Sequence, residues 1–295
     1  MAVFSVRPGI VVKIIVVVTD FTSASESALH HAVAIARHYD SKIHLVHPLH
    51  PLPHVPSAQA TEVLVSRAEV DAEMRLQQEA EICEDVACSR WVMKGEPLEV
   101  VERLLSFEEA DLVVVGTHGG KGFRKLAIGS AAEHFFRHVH CPVLAVGPSV
   151  TGWCPVWTPK RILLTTDLQS DEAIAARVAA LLAREHDAQL AMLHVAPPVH
   201  APYPEDQELI ARPYFQARLQ ELLAYKPEID CPIDFWVEFA DDPVAEILRI
   251  TRERAIDLIV LSVHREEPWG FHFVHDAYRI VADAPCPVLI AQRRL

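Results

Sequence analysis

The sequence predicts an α/β fold with two tandem domains, each a five-stranded parallel sheet covered by helices on both faces. Three observations support this prediction. Apolar, β-branched runs alternate with helical patterns, the chain repeats itself in its second half, and a glycine-rich loop joins a buried strand to a helix in the first half.

The repeat is visible in strand-like segments that end in Thr-Asp. Lys13–Asp20 and Lys160–Asp167 lie 147 residues apart, and the tetrapeptide Cys-Pro-Val-Leu occurs at 141–144 and again at 286–289. Such self-similarity indicates duplication of one domain. The joint falls in the proline-containing stretch Pro148–Pro159. We therefore expect domains at 1–150 and 151–295.

Strands and helices alternate in both copies. The strands predicted in the first copy are Lys13–Val18, Lys42–His47, Arg90–Lys94, Asp111–Gly116 and Val143–Gly147. Its predicted helices are Ser23–Tyr39, Gln59–Asp85, Pro97–Glu108 and Ser130–Val139, the first with capping-box spacing at Ser23 and Glu26. The strands predicted in the second copy are Arg161–Thr166, Gln189–Val195, Ile233–Phe239, Asp257–Leu261 and Val288–Ala291.

Composition limits the function classes. The formal net charge of −13 argues against a nucleic-acid binder, which needs a basic face. The apolar run Ile10–Val18 is interrupted by Lys13 and is too short to span a membrane. The six cysteines have no metal-binding spacing, so we interpret them as reduced core thiols. These features predict a cytoplasmic protein.

The stretch after the fourth strand has the order strand, glycine loop, helix N-terminus. Gly116 ends the strand, Gly119 follows in the loop, and Gly129-Ser130 opens a helical segment. Free amides at the start of a helix attract phosphate. Three cations lie on the loop: Lys121, Arg124 and Lys125. The glycines alone also fit a solvated turn, and the residues leave both interpretations open.

Two common phosphate motifs do not match this stretch. Walker A fails because Val115 occupies the first glycine position, and the dinucleotide fingerprint fails because Lys125 stands where the third glycine is required. The spacing that is present joins Gly116, Gly119, Gly129 and Ser130. It resembles the nucleotide-binding signature of the universal stress protein family, and Cys141–Leu144 is similar to that family's last strand. The resemblance implies flavodoxin-like domains.

The resemblance also implies a ligand, ATP, with or without Mg²⁺. Asp20 ends the first strand at the edge where such sheets bind ligands, and the family's aspartate at this position borders adenosine. Its position alone fits a turn or helix-capping role equally well. Backbone around Leu45 to His47 is similar to the family's adenine edge. The predicted binding residues are Asp20, His47, Gly116, His118, Gly119, Lys121, Gly129, Ser130 and Ala131.

The second copy lacks the glycine pattern. After Asp257–Leu261 come Ser262 and Arg265, followed by two glutamates that would repel a triphosphate. Although Asp167 is retained, we predict that the second domain does not bind ATP through this loop. It would serve as a structural partner or take another ligand, so one nucleotide per chain is expected.

Three functional hypotheses remain open. No nucleophile elbow, zinc-protease motif or paired redox cysteine is present. The chain is therefore an ATP-binding stress regulator, a slow ATPase or metal-assisted enzyme with Ser130 near a phosphate, or a nucleotide-free scaffold. The resemblance favours the regulator, in which ATP changes a surface that an unidentified partner reads. The terminal strands Val143–Gly147 and Val288–Ala291 are expected to pair as a pseudo-dimer, and exposed edges leave a homodimer open.

Seventeen histidines raise the question of a zinc site. Strand alternation puts His44 and His47 on opposite faces, which argues against one cage with His50 and His54. Two other groups could supply zinc ligands: His134, His138 and His140, and the second-copy set His264, His272 and His275. Most such histidines are solvated or hydrogen-bonded without metal, so zinc is the weaker hypothesis.

Overall fold

The structure is a computed structural model that describes residues 10–50, 58–117, 139, 141–152, 155–168, 173–198, 204–223, 231–262 and 271–291. The strands of the first half are β1 (Ile14–Val18), β2 (Lys42–Leu49), β3 (Cys88–Lys94), β4 (Leu112–Gly116) and β5 (Val143–Val146). Its helices are α1 (Ser23–Tyr39), α2 (Ala58–Glu79), which continues as the 3₁₀ turn Ala80–Cys83, and α3 (Pro97–Phe107).

The second half repeats this order. Its strands are β6 (Arg161–Thr165), β7 (Gln189–Ala196), β8 (Ile233–Phe239), β9 (Leu258–Ser262) and β10 (Val288–Ala291). Its described helices are α4 (Ala173–His186), α5 (Pro204–Glu221), α6 (Pro243–Glu253) and α7 (Phe271–Asp283). The α/β fold predicted from the sequence is confirmed in both halves.

All ten strands form one sheet in the order β3-β2-β1-β4-β5-β10-β9-β6-β7-β8. Pairing is parallel within each half and antiparallel only where β5 meets β10, with Leu144 opposite Leu289. The predicted pairing of the two terminal strands is confirmed. Each half therefore covers the free edge of the other half's last strand.

The strand and helix bounds differ from the prediction by more than one residue in β2, β3 and α2, and β3 begins at Cys88, two residues before the predicted Arg90. β2 runs on to Leu49 through Pro48, which is tolerated because β1 has already ended at Val18 and leaves that side of β2 without a partner. Helix α2 ends at Glu79 in a 3₁₀ turn, before the predicted end at Asp85. The predicted helix Ser130–Val139 lies outside the described residues except for its last residue.

The core has two layers, one on each face of the sheet. Successive residues of β1 alternate between them, with Ile15 and Val17 packed against α1 and Val16 and Val18 packed against α3. The α1 layer continues across the junction of the two halves, where Trp157 is buried. Burial of these β-branched side chains is the main force that holds the sheet between its helices.

None of the described cysteines forms a disulfide. Five cysteines are described as free thiols, and Cys83, Cys141 and Cys286 are buried as predicted. Across the described segments, no helix combines the length and the apolar character needed to cross a bilayer.

Gly147, just after β5, should be intolerant of substitution. A Cβ added there would lie 2.1 Å from the carbonyl oxygen of Val281 on α7, in the other half. We expect Gly147→Ala to lower the free energy of unfolding by about 1–3 kcal/mol, because the two backbones must separate. Chemical denaturation measures this. Val156→Ala, at a side chain 55% exposed in the segment between the halves, is the control and should change stability by less than about 0.5 kcal/mol. Wild-type stability in Gly147→Ala would contradict the packing described.

Candidate functional site

Three predicted binding residues lie together at one edge of the sheet. β1 and β4 are neighbours, and the chain leaves them towards opposite sides, so a switch in strand order lies between their carboxyl ends. Such crevices bind ligands in doubly wound sheets. Asp20 follows β1, His47 lies near the end of β2, and Gly116 ends β4.

The turn after β1 is held by the side chain of Thr19. The buried Thr19 hydroxyl accepts a hydrogen bond from the Phe21 amide at 3.0 Å and donates to Ser25 Oγ at 3.1 Å. Phe21 adopts a φ of 63°, in the left-handed region that non-glycine residues rarely occupy. The capping box of α1 is formed by Thr22 and Ser25, so the box predicted at Ser23 and Glu26 is one residue out of place.

Asp20 has one oxygen engaged and one without a partner. Its Oδ1 accepts from the Thr22 hydroxyl at 2.6 Å and from the Thr22 amide at 3.2 Å. Its Oδ2 is buried and has no hydrogen-bond partner among the described residues. Asp20 therefore stabilises the turn, as its sequence position allows, but this role uses only one of the two carboxylate oxygens. A buried acceptor of this kind normally has a donor.

His47 ties the end of β2 to the turn after β1. Its Nδ1 lies 2.9 Å from the Thr19 carbonyl oxygen, so Nδ1 carries the proton and donates. Burial lowers the pKa of His47, against the opposing effect of that hydrogen bond. Its ring stacks on Phe21 with centroids 4.3 Å apart, and the Arg75 guanidinium covers the Phe21 ring at 4.1 Å. The histidine side chain therefore supports the turn that carries Asp20.

Helix α2 contributes two charged residues that the sequence reasoning missed. The Arg75 side chain donates to the Phe21 carbonyl at 3.3 Å. Glu79 has a buried Oε2 without a partner among the described residues, and burial raises the pKa of this carboxyl, with Asp20 among the smaller contributions in the same direction. A hydrophobic pattern does not reveal these residues, because α2 meets the turn only in three dimensions.

Gly116 is required because a side chain at this position would collide with the backbone of α1. A Cβ there would lie 2.3 Å from the carbonyl oxygen of Ala24 and 2.6 Å from the Ser25 amide, and its φ is not in the left-handed region. The glycine thus permits close contact between β4 and the first turn of α1. This packing also sets the distance between β4 and the turn at Asp20. The six other predicted residues, His118, Gly119, Lys121, Gly129, Ser130 and Ala131, lie outside the described residues.

The second half repeats the turn geometry almost atom for atom. The Leu168 amide donates to Thr166 Oγ1 at 2.9 Å, and Leu168 has a φ of 65°. His194 Nδ1 lies 2.9 Å from the Thr166 carbonyl oxygen, and burial lowers the pKa of His194. The duplication has therefore preserved the strand-end framework that carries Asp167.

Behind this framework the second half has a cavity of about 150 Å³. Side chains from β6, β7, β9, α6 and α7 line it, mostly apolar ones, with Asp167 and Asp276 among the polar exceptions. On the same side, Arg279 of α7 forms a bidentate pair with Asp242 at the start of α6, which holds the pKa of Asp242 below its usual range. The position corresponding to Gly116 is Ser262, whose buried Oγ has no partner among the described residues.

His44 and His47 lie on opposite faces of β2. His44 accepts a hydrogen bond from Trp91 Nε1 at 2.9 Å and faces Glu108 beyond α3, whereas His47 faces Phe21 beside α1. The predicted placement on opposite faces is confirmed. His134, His138, His140 and His264 lie outside the described residues, and the side chains of His272 and His275 are not described.

Comparison with known proteins identifies the family. The model of the universal stress protein family matches the chain twice, over residues 12–147 and 158–292. The chain belongs to the universal stress protein family. The two matches correspond to the two halves of the sheet and confirm a tandem universal stress protein.

Similar proteins agree with this assignment. A universal stress protein of Methanocaldococcus jannaschii is 28% identical over 138 residues, which is 45% of this chain and 81% of that protein. The crystal structure of a universal stress protein from Archaeoglobus fulgidus DSM 4304 covers 95% of this chain and 96% of its own, at 15% identity and a TM-score of 0.69. A functionally unknown protein from Pseudomonas aeruginosa PAO1 covers 96% of this chain and 93% of its own, at 17% identity and a TM-score of 0.56. These two structural likenesses support the tandem fold.

Gly116 and Ser262 form a matched pair for a stability test. Gly116→Ala should lower the free energy of unfolding by about 1–3 kcal/mol, because the new methyl group meets the backbone of α1. Ser262→Ala should be neutral or stabilising, since it removes a buried hydroxyl without a partner. Denaturant titration of both variants measures the difference. Equal stability losses would contradict the packing role of Gly116.

Proposed function

We propose that this universal stress protein is a regulator that binds one ATP per chain, at the carboxyl edge of the first half. The observation that carries the proposal is the buried Oδ2 of Asp20, which has no hydrogen-bond partner among the described residues, at the switch in strand order. The framework of Thr19, Phe21 and His47 holds that carboxylate in place before any ligand arrives. Preorganised polar groups of this kind favour binding.

The chemistry of Asp20 selects the part of the nucleotide that binds there. An ionised carboxylate only accepts hydrogen bonds and repels phosphate, so its ligand must present a donor. The ribose hydroxyls of a nucleotide are such donors. We therefore assign Asp20 to the ribose. The phosphates go to the segment after β4, on the residues predicted from the sequence, Gly119, Gly129 and Ser130.

The restriction to one half rests on differences at equivalent positions. The second half keeps Thr166 and His194 in the same arrangement and retains an aspartate, Asp167, after its first strand. At the end of its fourth strand it has Ser262 in place of Gly116, and no glycine pattern follows in the sequence. The second half therefore retains the turn that would hold a ribose but lacks the predicted phosphate cradle.

A regulatory role fits these residues better than catalysis. Asp20 is assigned to the ribose, the Nδ1 proton of His47 is donated to backbone, and the sequence contains no recognised catalytic motif. We infer that nucleotide binding changes the surface beyond β4 and that a protein partner reads this change.

Asp20 and Asp167 allow a matched test in the full chain. Isothermal titration with ATP should give about one site per chain for wild type and for Asp167→Asn. Asp20→Asn should weaken binding by about 10-fold or more, since a hydrogen bond to a charged group contributes about 1.5–3 kcal/mol. Asparagine preserves the shape of the side chain and the bonds from Thr22, so the fold is retained.

A ligand variant tests the assignment to ribose. Wild type should prefer ATP over 2′,3′-dideoxy-ATP, and Asp20→Asn should lose most of that preference, because carboxylate and hydroxyl act as a pair. Two results would overturn the proposal: weaker binding in Asp167→Asn but not in Asp20→Asn, or no ATP binding by protein freed of co-purified nucleotide.

A further inference from the structure

A second cluster of polar side chains lies where the two halves meet. The last turns of α1 and α4 face each other there, at positions 147 residues apart in the chain. His38 Nε2 lies 3.1 Å from Glu185 Oε1, and the ring of His38 lies 4.7 Å from that of His186. One potential ligand atom from each of these three residues lies within 4.8 Å of the other two.

One member of the cluster is buried without the hydrogen bond that burial normally requires. His186 is 5% exposed, and its Nε2 has no partner among the described residues. Tyr39, the repeat counterpart of His186, has a buried hydroxyl close to Glu185, and burial together with that carboxylate raises the pKa of the hydroxyl. Buried polar side-chain atoms are nearly always paired with protein, water or an ion. The Nε2 atom of His186 is therefore available to bind one further group.

Two helix ends and a carboxylate bring negative charge to the cluster, and the ammonium of Lys160 offsets part of it. Two helices end here, and their C-termini carry partial negative charge. Glu185 adds a carboxylate, whose second oxygen accepts from the Ile10 amide at 3.4 Å. The ammonium of Lys160 points at the carbonyl oxygen of His186, 2.5 Å away, where it caps α4.

We propose that His38, Glu185 and His186 bind a divalent transition-metal ion of the zinc class, which clasps the end of α1 in the first half to the end of α4 in the second. This site is separate from the nucleotide edge and does not depend on the proposed function.

The donor set decides the kind of metal. Two imidazoles and one carboxylate suit zinc and its neighbours, whereas Mg²⁺ and Ca²⁺ prefer oxygen ligands alone. A tetrahedral ion about 2.1 Å from each donor requires donors about 3.4 Å apart. His38 Nε2 and Glu185 Oε1, 3.1 Å apart, are already close to this distance, and His186 offers a ring nitrogen within 4.8 Å of both. The fourth position is left for water, or for the Tyr39 hydroxyl.

The test uses full-length protein without a histidine tag, stripped with chelator and dialysed against limiting Zn²⁺. Wild type should retain about one equivalent more Zn²⁺ than His38→Ala or Glu185→Gln. His50→Ala is the matched control, because His50 is also a partly exposed histidine beside a glutamate, 3.4 Å from Glu96, but belongs to no group of three potential metal ligands among the described residues. It should retain as much Zn²⁺ as wild type.

Co²⁺ provides a second measurement that reports coordination directly. Wild type and His50→Ala should show the visible absorption of tetrahedral Co²⁺, and His38→Ala and Glu185→Gln should lose it. Both variants change side chains with solvent contact, so folding is preserved. Equal Zn²⁺ content and equal Co²⁺ spectra in wild type, His38→Ala and Glu185→Gln would overturn the proposal. The cluster would then be a hydrogen-bonded contact between the halves.

Discussion

The antiparallel pairing of β5 with β10 is the interaction on which the rest of this structure depends. It converts two parallel sheets into one sheet of ten strands and gives the last strand of each half a partner. It also relates the halves by an approximate two-fold rotation. That rotation brings the last turns of α1 and α4 face to face, and it lays α7 across Gly147 so closely that no side chain fits there. The contacts between the halves follow from the register in which β5 pairs with β10.

Within each half, a second constraint shapes the edge where a ligand would bind. The turn after the first strand needs a residue in the left-handed region, and a threonine hydroxyl and a histidine ring stabilise it in both copies. This framework survived the duplication, while the end of the fourth strand changed from Gly116 to Ser262. The retained framework and the altered strand end are independent features, so the halves share a fold while the ends of their fourth strands differ in chemistry.

The sequence predicted the elements better than the contacts between them. Buried strands such as β4 are recognisable because continuous β-branched runs are rare elsewhere, and the repeat identified the terminal strands that pair. The reason for Gly116 was not predictable, because the carbonyl of Ala24 reaches it only after α1 packs on β4. The same applies to Arg75 over Phe21. The cluster of His38, Glu185 and His186 was not predictable because His38 lies 147 residues from Glu185 in the chain, whereas the predicted histidine groups are close in sequence.

Nucleotide binding by the first half alone is tested most directly by a crystal structure of the full chain grown with ATP. We expect density for one ATP per chain, with its ribose at Asp20 and its phosphates beyond β4, and none at Asp167. Nucleotide density at the edge of the second half, with the first half empty, would contradict this expectation.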